Sequence, residues 1–147
     1  MTYLEWMPEA GLIPQSEPIL HSYNNIMTAS IPAAISGQKY ISLISFRKSG
    51  VGVPTPVWFG ERDGKLYVMS RDDSGKYKRI RNNSNVRIAP CNIRGKVTGP
   101  EFKADGRILP REAWPDARKT LAKKYWLMRI SPFWSKKNIY LEIVVQD

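Results

Sequence analysis

The sequence predicts a mainly β domain: an antiparallel barrel of about six strands, with a short inserted helix and one longer helix before the last strand. Three observations predict it. From Lys39 onward, segments rich in Tyr, Ile, Val and Phe recur between turn residues, and consecutive segments join as hairpins with few crossovers. Between Trp114 and Tyr125 the period changes, with Trp114, Ala117, Leu121 and Tyr125 at helical spacing. Finally Ile139, Leu141, Ile143 and Val145 alternate with Tyr140, Glu142 and Gln146, the pattern of a closing strand with one buried face.

Residues 1–36 form an N-terminal strap ahead of a barrel domain over 37–147. Pro8, Pro14, Pro18 and Pro32 forbid a long helix there, and Leu12, Ile13, Ile19, Leu20 and Ile26 are suited to packing over a core. A short helix around Asn25–Ile35, broken or started by Pro32, is compatible with the pattern. Lys39–Arg47 is apolar on both faces and reads as a central strand. Lys48-Ser49-Gly50 turns the chain into the next strand, Val51–Gly60. That strand holds Pro54 and Pro56, which remove donors from one side of the ladder. Two readings follow: an edge strand guarded against aggregation, or a backbone edge that faces a flat ligand.

Glu61–Gly64 reads as a turn and Lys65–Ser70 as a strand. Lys76–Asn83 follows as a helix of about two turns, with Tyr77 and Ile80 inward and Asn82-Asn83 as a left-handed end. Val86–Pro90 is the next strand. An extended run from Gly95 to Leu109 should bend or bulge at Gly99-Pro100 and Asp105-Gly106. On the longer helix Pro115 is tolerable in the first turn, and Arg118, Lys119, Lys123 and Lys124 form a solvated basic face.

Composition narrows the function. The 147 residues suit one domain and include five Trp, seven Tyr and four Phe. No segment reaches the roughly 18-residue apolar run of a membrane span, and the N-terminus lacks a signal-peptide pattern. A single cysteine, Cys91, gives no internal disulfide, so a cytoplasmic location is expected. His21 is the only histidine, which leaves a Ser-His-Asp site or a zinc site without its parts. No Walker or Rossmann glycine pattern exists, and Cys91 reads as a small residue at a strand end. No side chain is assigned a catalytic role, no metal site is expected, and activity would require a bound cofactor.

The net charge of +10 fits nucleic acid, an acidic membrane surface or an anionic small molecule. Its dense cluster is Lys76, Lys78, Arg79 and Arg81, without any nucleic-acid-binding signature. Just before it, Ser70 ends a strand and Ser74-Gly75 stands at a helix start, followed by Lys76. Unpaired N–H groups and the helix dipole favour a phosphate there, and a hydroxyl and a solvent-facing ammonium would strengthen it. The plain alternative is a solvated basic turn with an ordinary cap.

The runs KYISLISFRKSG, VPTPVWF, DGKLYVMS and SGKYKRIRNNSNVRIAPCNIRGKVTG, with later LAKKYW and YLEI, resemble the pyridoxamine-phosphate-oxidase-like split-barrel superfamily. Within it the pattern is most similar to the deazaflavin (coenzyme F420)-dependent oxidoreductases, over roughly Gly37 to the C-terminus. The resemblance implies a six-stranded split barrel that dimerises with cofactor at the subunit interface. It implies that Pro54, Thr55, Pro56 and Val57 lie along the cofactor ring, and that Ser70, Ser74, Gly75 and Lys76 hold the phosphate, with Arg79 added. Lys78, Arg79, Arg81, Arg47 and Lys48 would serve the longer anionic tail of a deazaflavin. The implied reaction is hydride transfer between coenzyme F420 and a small unsaturated substrate. The alternatives are an FMN-dependent oxidoreductase or a non-catalytic flavin-binding protein; neither nucleic acid nor membrane is expected as partner. The chain departs from the branch at Tyr125-Trp126, where "KYG" is expected, and in its long strap. It also lacks the arginine and histidine set of a true pyridoxamine phosphate oxidase.

Overall fold

Two edge strands that are neighbours in sequence close this sheet. The computed structural model describes residues 30–125 and 137–146. Seven strands form one antiparallel sheet: β1 (Tyr40–Phe46), β2 (Gly52–Val57), β3 (Gly60–Arg62), β4 (Lys65–Arg71), β5 (Asn85–Cys91), β6 (Phe102–Ile108) and β7 (Asn138–Val145). Their order is β2-β1-β5-β6-β7-β4-β3. The outermost strands, β2 and β3, are separated only by Trp58 and Phe59. The sheet therefore curls until its two edges meet at that link, which makes a split barrel. Helix α1 (Gly75–Asn82) is inserted between β4 and β5, and α2 (Trp114–Lys124) follows β6.

The seventh strand corrects the expected six. Glu61 and Arg62, read as turn residues, pair with Leu66 and Lys65. The turn is the two residues Asp63 and Gly64, both at positive φ (53° and 75°), the twist that joins adjacent strands tightly. β2 is an edge strand, as its prolines require. It pairs only with β1, with Pro54 opposite Ile44 and Pro56 opposite Ser42.

The inner face of the sheet carries the main core. Ile41, Leu43, Phe59, Leu66, Ile88 and Leu141 are fully buried there, each contributing about 1.5–3 kcal/mol by leaving water. Ile80 of α1 closes this core from one side. A second cluster lies under α2, where Ala117, Leu121 and Tyr125 pack on Tyr67 and Tyr140. It explains a correction at β7: Tyr140 and Glu142, expected on an open face, are 4% and 8% exposed. The helix covers Tyr140, and Glu142 is held by side chains from β4 and β6.

Smaller expectations also change. Asn83 ends α1 in an extended conformation (φ −146°), and its side-chain oxygen accepts from the Asn85 amide. No bulge forms at Asp105-Gly106, where the register to β7 runs unbroken. The run from Gly95 is strand only over β6, preceded by one bridge between Cys91 and Val97. Lys124 is not merely solvated, since its ammonium sits 3.5 Å from the Phe59 ring centroid and donates to the Gln38 carbonyl. The helix considered over Asn25–Ile35 lies mostly outside the described residues. Its described end is a turn in which the Ile35 and Ser36 amides both donate to the Pro32 carbonyl. Among the described residues no helix is long and apolar enough to cross a membrane.

Candidate functional site

Helix α1 begins at a tightly wired cap. Ser74 Oγ accepts from the Tyr77 amide at 3.2 Å and donates to the Arg71 carbonyl at 2.8 Å. Ser70 Oγ lies 3.0 Å from Ser74 Oγ. Because the single Ser74 proton is committed to Arg71, Ser70 must be the donor in that pair. The expected phosphate serines are thus adjacent, yet turned toward each other and the backbone. The first-turn amides of Gly75 and Lys76 have no intrahelical acceptor, and no acidic residue stands in that turn.

Gly75 gives room to an arginine. A Cβ at this position would lie 2.7 Å from Arg79 Nη1, so glycine lets the guanidinium fold back over the helix start. Arg79 Nε donates to Ser45 Oγ at 2.7 Å, and Ser45 is fully buried. Burial and the nearby Arg47 charge both lower the Arg79 pKa.

Two cavities flank α1. The smaller, about 310 Å³, takes Pro56, Val57 and Trp58 from β2 and its link, Tyr40 from β1 and Met69 from β4. Lys76 enters it from α1. The lysine expected to face solvent is half-buried in this largely apolar space. Burial, and then the Arg79 charge, lowers its pKa. Of the four ring residues inferred from the resemblance, Pro56 and Val57 line this cavity, whereas Pro54 and Thr55 do not.

The larger cavity, about 640 Å³, is basic. Arg47 and Lys48 of the first hairpin meet Lys78 and Arg79 of α1 there. None of these four makes an ion pair with an acidic side chain among the described residues. Arg81 is elsewhere, over the Tyr77 ring at 5.3 Å.

Sequence reasoning missed Tyr40, Trp58 and Met69 as lining residues, and it read Tyr125 as an inward helix residue and a departure from the branch. Trp58 stacks on Tyr125 with ring centroids 4.5 Å apart and planes 3° apart. The Tyr125 hydroxyl meets the Phe59 backbone and the Lys39 carbonyl, which fixes the wall of the small cavity at the sheet closure. The only advance signal for this pair was the aromatic residue following each element's end.

No protein-family model matches the chain, and no curated protein matches it. Solved structures do. The heme storage protein HutZ of Vibrio cholerae superposes with a TM-score of 0.62 at 11% identity, covering 89% of this chain and 90% of that one. A protein from Listeria innocua assigned as a pyridoxamine 5'-phosphate oxidase gives 0.59 at 16% identity, over 78% and 90%. An FAD-binding protein of Mesorhizobium loti gives 0.56 at 14% identity, over 87% and 88%. The fold is the pyridoxamine-phosphate-oxidase-like split barrel.

In this split barrel, one short helix divides an apolar slot from a cationic basin. Lys76 faces the first and Arg79, one turn later, faces the second. The basin suits several negative charges at once, because like cations held together favour an anion that neutralises them.

Proposed function

We propose that this chain is an oxidoreductase that transfers a hydride between coenzyme F420 and a small unsaturated organic substrate. The observation that carries the reading is the pairing of the apolar slot with a separate basin of four cations. A deazaflavin of this type has a flat tricyclic ring, a phosphodiester and an oligoglutamate tail. FMN, the alternative cofactor of the same fold, ends at its phosphate and leaves the basin without a partner.

The residues present fit the longer group. Tyr40, Pro56, Val57 and Trp58 would hold the ring, and the Gly75 and Lys76 amides would meet the phosphate. Arg47, Lys48, Lys78 and Arg79 would neutralise the tail. The bound deazaflavin supplies the two-electron hydride chemistry. The chain's own contribution is orientation and exclusion of water. Its slot, at the low end of the ~300–1,000 Å³ range of ligand pockets, holds a ring but not the whole molecule. A homodimer with cofactor at the subunit interface, and a cytoplasmic location compatible with the free, buried Cys91 thiol, belong to the same reading.

The test mixes purified protein and reduced deazaflavin with a panel of conjugated ketones and aldehydes, following reoxidation of the chromophore. Turnover with deazaflavin and none with reduced FMN supports the reading. Turnover with FMN alone, or with neither, counts against it.

A further inference from the structure

Among the described residues, Lys76 is the one charged side chain lining the smaller cavity. The titratable groups facing it among the described residues are Tyr40 from β1 and Arg79 from its own helix, and no Asp or Glu among them lines the space. The remaining walls are apolar, from Val57 of β2, Met69 of β4 and Leu121 of α2. Half-burial without a counter-ion disfavours an ammonium, and a second cation one turn away disfavours it further. These are the two conditions that turn a lysine into a nucleophilic amine: an apolar pocket and a neighbouring positive charge.

We propose that Lys76 is a carbonyl-capturing amine whose ligand is a flat, conjugated aldehyde seated in the cavity of Tyr40, Pro56 and Trp58. This goes beyond the cofactor reading and does not depend on it: the aldehyde takes the space assigned above to the cofactor ring, so it is captured by the cofactor-free chain. The Nζ lone pair attacks the carbonyl carbon, forming the C–N bond while the carbonyl π pair moves to oxygen. The oxygen and the nitrogen's protons leave together as one water, and a C=N bond remains. No oxidant or reductant takes part, and hydrolysis returns the free amine. The cavity's size and flat aromatic and proline surfaces favour a single planar ring bearing a terminal carbonyl.

The experiment incubates the full chain, without cofactor, with benzaldehyde and sodium cyanoborohydride, which reduces any imine to a stable secondary amine. Peptide mass spectrometry then measures the labelling rate at each lysine. Lys76 should be labelled at least about fivefold faster than exposed Lys119 or Lys123, as expected of an activated amine. Its rate should also level off at a lower pH than theirs. In Lys76→Arg the fast adduct should vanish, and in Lys119→Arg it should persist with the same rate. Labelling of Lys76 no faster than the exposed lysines overturns the proposal. So does a fast adduct in Lys76→Arg that has simply been a different site. Circular dichroism of both variants confirms that the comparison is made between folded proteins.

Discussion

The Tyr125 hydroxyl lies 3.1 Å from the Phe59 amide nitrogen and 2.6 Å from the Lys39 carbonyl oxygen. One side chain at the end of α2 therefore ties the link between the two sheet edges to the start of β1. Tyr125→Phe keeps the ring stacked on Trp58 but leaves a buried amide and carbonyl without their partner. It should cost about 1–3 kcal/mol, read by urea denaturation.

The same group makes stability pH-dependent. Burial pushes the Tyr125 pKa from 10.0 up to about 12. The folded state thus holds the proton longer than the unfolded state. The stabilisation is complete below about pH 10 and is lost as pH rises from there toward about 12. Tyr67 and Tyr140 shift in the same direction through burial, so Tyr125→Phe should flatten this loss without abolishing it. An unchanged alkaline profile in the variant would contradict the assignment.

Glu142 organises the outer face of the sheet. Its carboxylate accepts from the Tyr67 hydroxyl at 3.1 Å and from Arg107 at 3.2 Å, with Lys65 at 3.8 Å. Glu142→Ala should cost about 1–3 kcal/mol by stranding the buried Tyr67 hydroxyl. Arg107→Ala should cost less than about 1 kcal/mol, because that side chain is 61% exposed. Chemical denaturation of the two variants measures the difference, and equal losses would remove the distinction.

Ser74 predicts a separation of stability from binding. Its hydroxyl is saturated by the cap, so Ser74→Ala should lower stability by about 0.5–2 kcal/mol. Arg79→Ala should weaken deazaflavin binding more than Ser74→Ala does. Parallel melting and binding titrations check both halves; a larger binding loss in Ser74→Ala would return the serine to the phosphate.

What could be read in advance depended on how local the cause was. The edge strand was legible because Pro54 and Pro56 lack donors, and the cap because Ser74 precedes a helix-forming run. The spacing of Ala117, Leu121 and Tyr125 gave α2 for the same reason. β3 was hidden because three residues carry too little alternation to stand out from a turn. The burial of Glu142 depends on partners 75 and 35 residues away in Tyr67 and Arg107, which no period reveals. The direction of Lys76 is likewise decided by what surrounds the helix start. The grouping of Arg47 and Lys48 with Lys78 and Arg79 was anticipated from the resemblance, whereas Arg81, expected with them, lies over the Tyr77 ring.

The exposed apolar residues Val51, Ile93 and Val97, with Ile93 at the small cavity, suit the homodimer in the proposed reading. Sedimentation should give a dimer at micromolar concentration. A monomer that still binds cofactor would separate the site from the interface.

The most direct measurement is a binding titration of coenzyme F420 and of FMN at low and at high salt. Exposed cations contribute only about 0–1 kcal/mol each, so a preference requires several acting together, as the Arg47, Lys48, Lys78 and Arg79 basin provides. F420 should bind more tightly than FMN at low salt and lose more affinity as salt rises, because screening weakens the tail contacts. Tighter FMN binding at both salt concentrations would contradict the account.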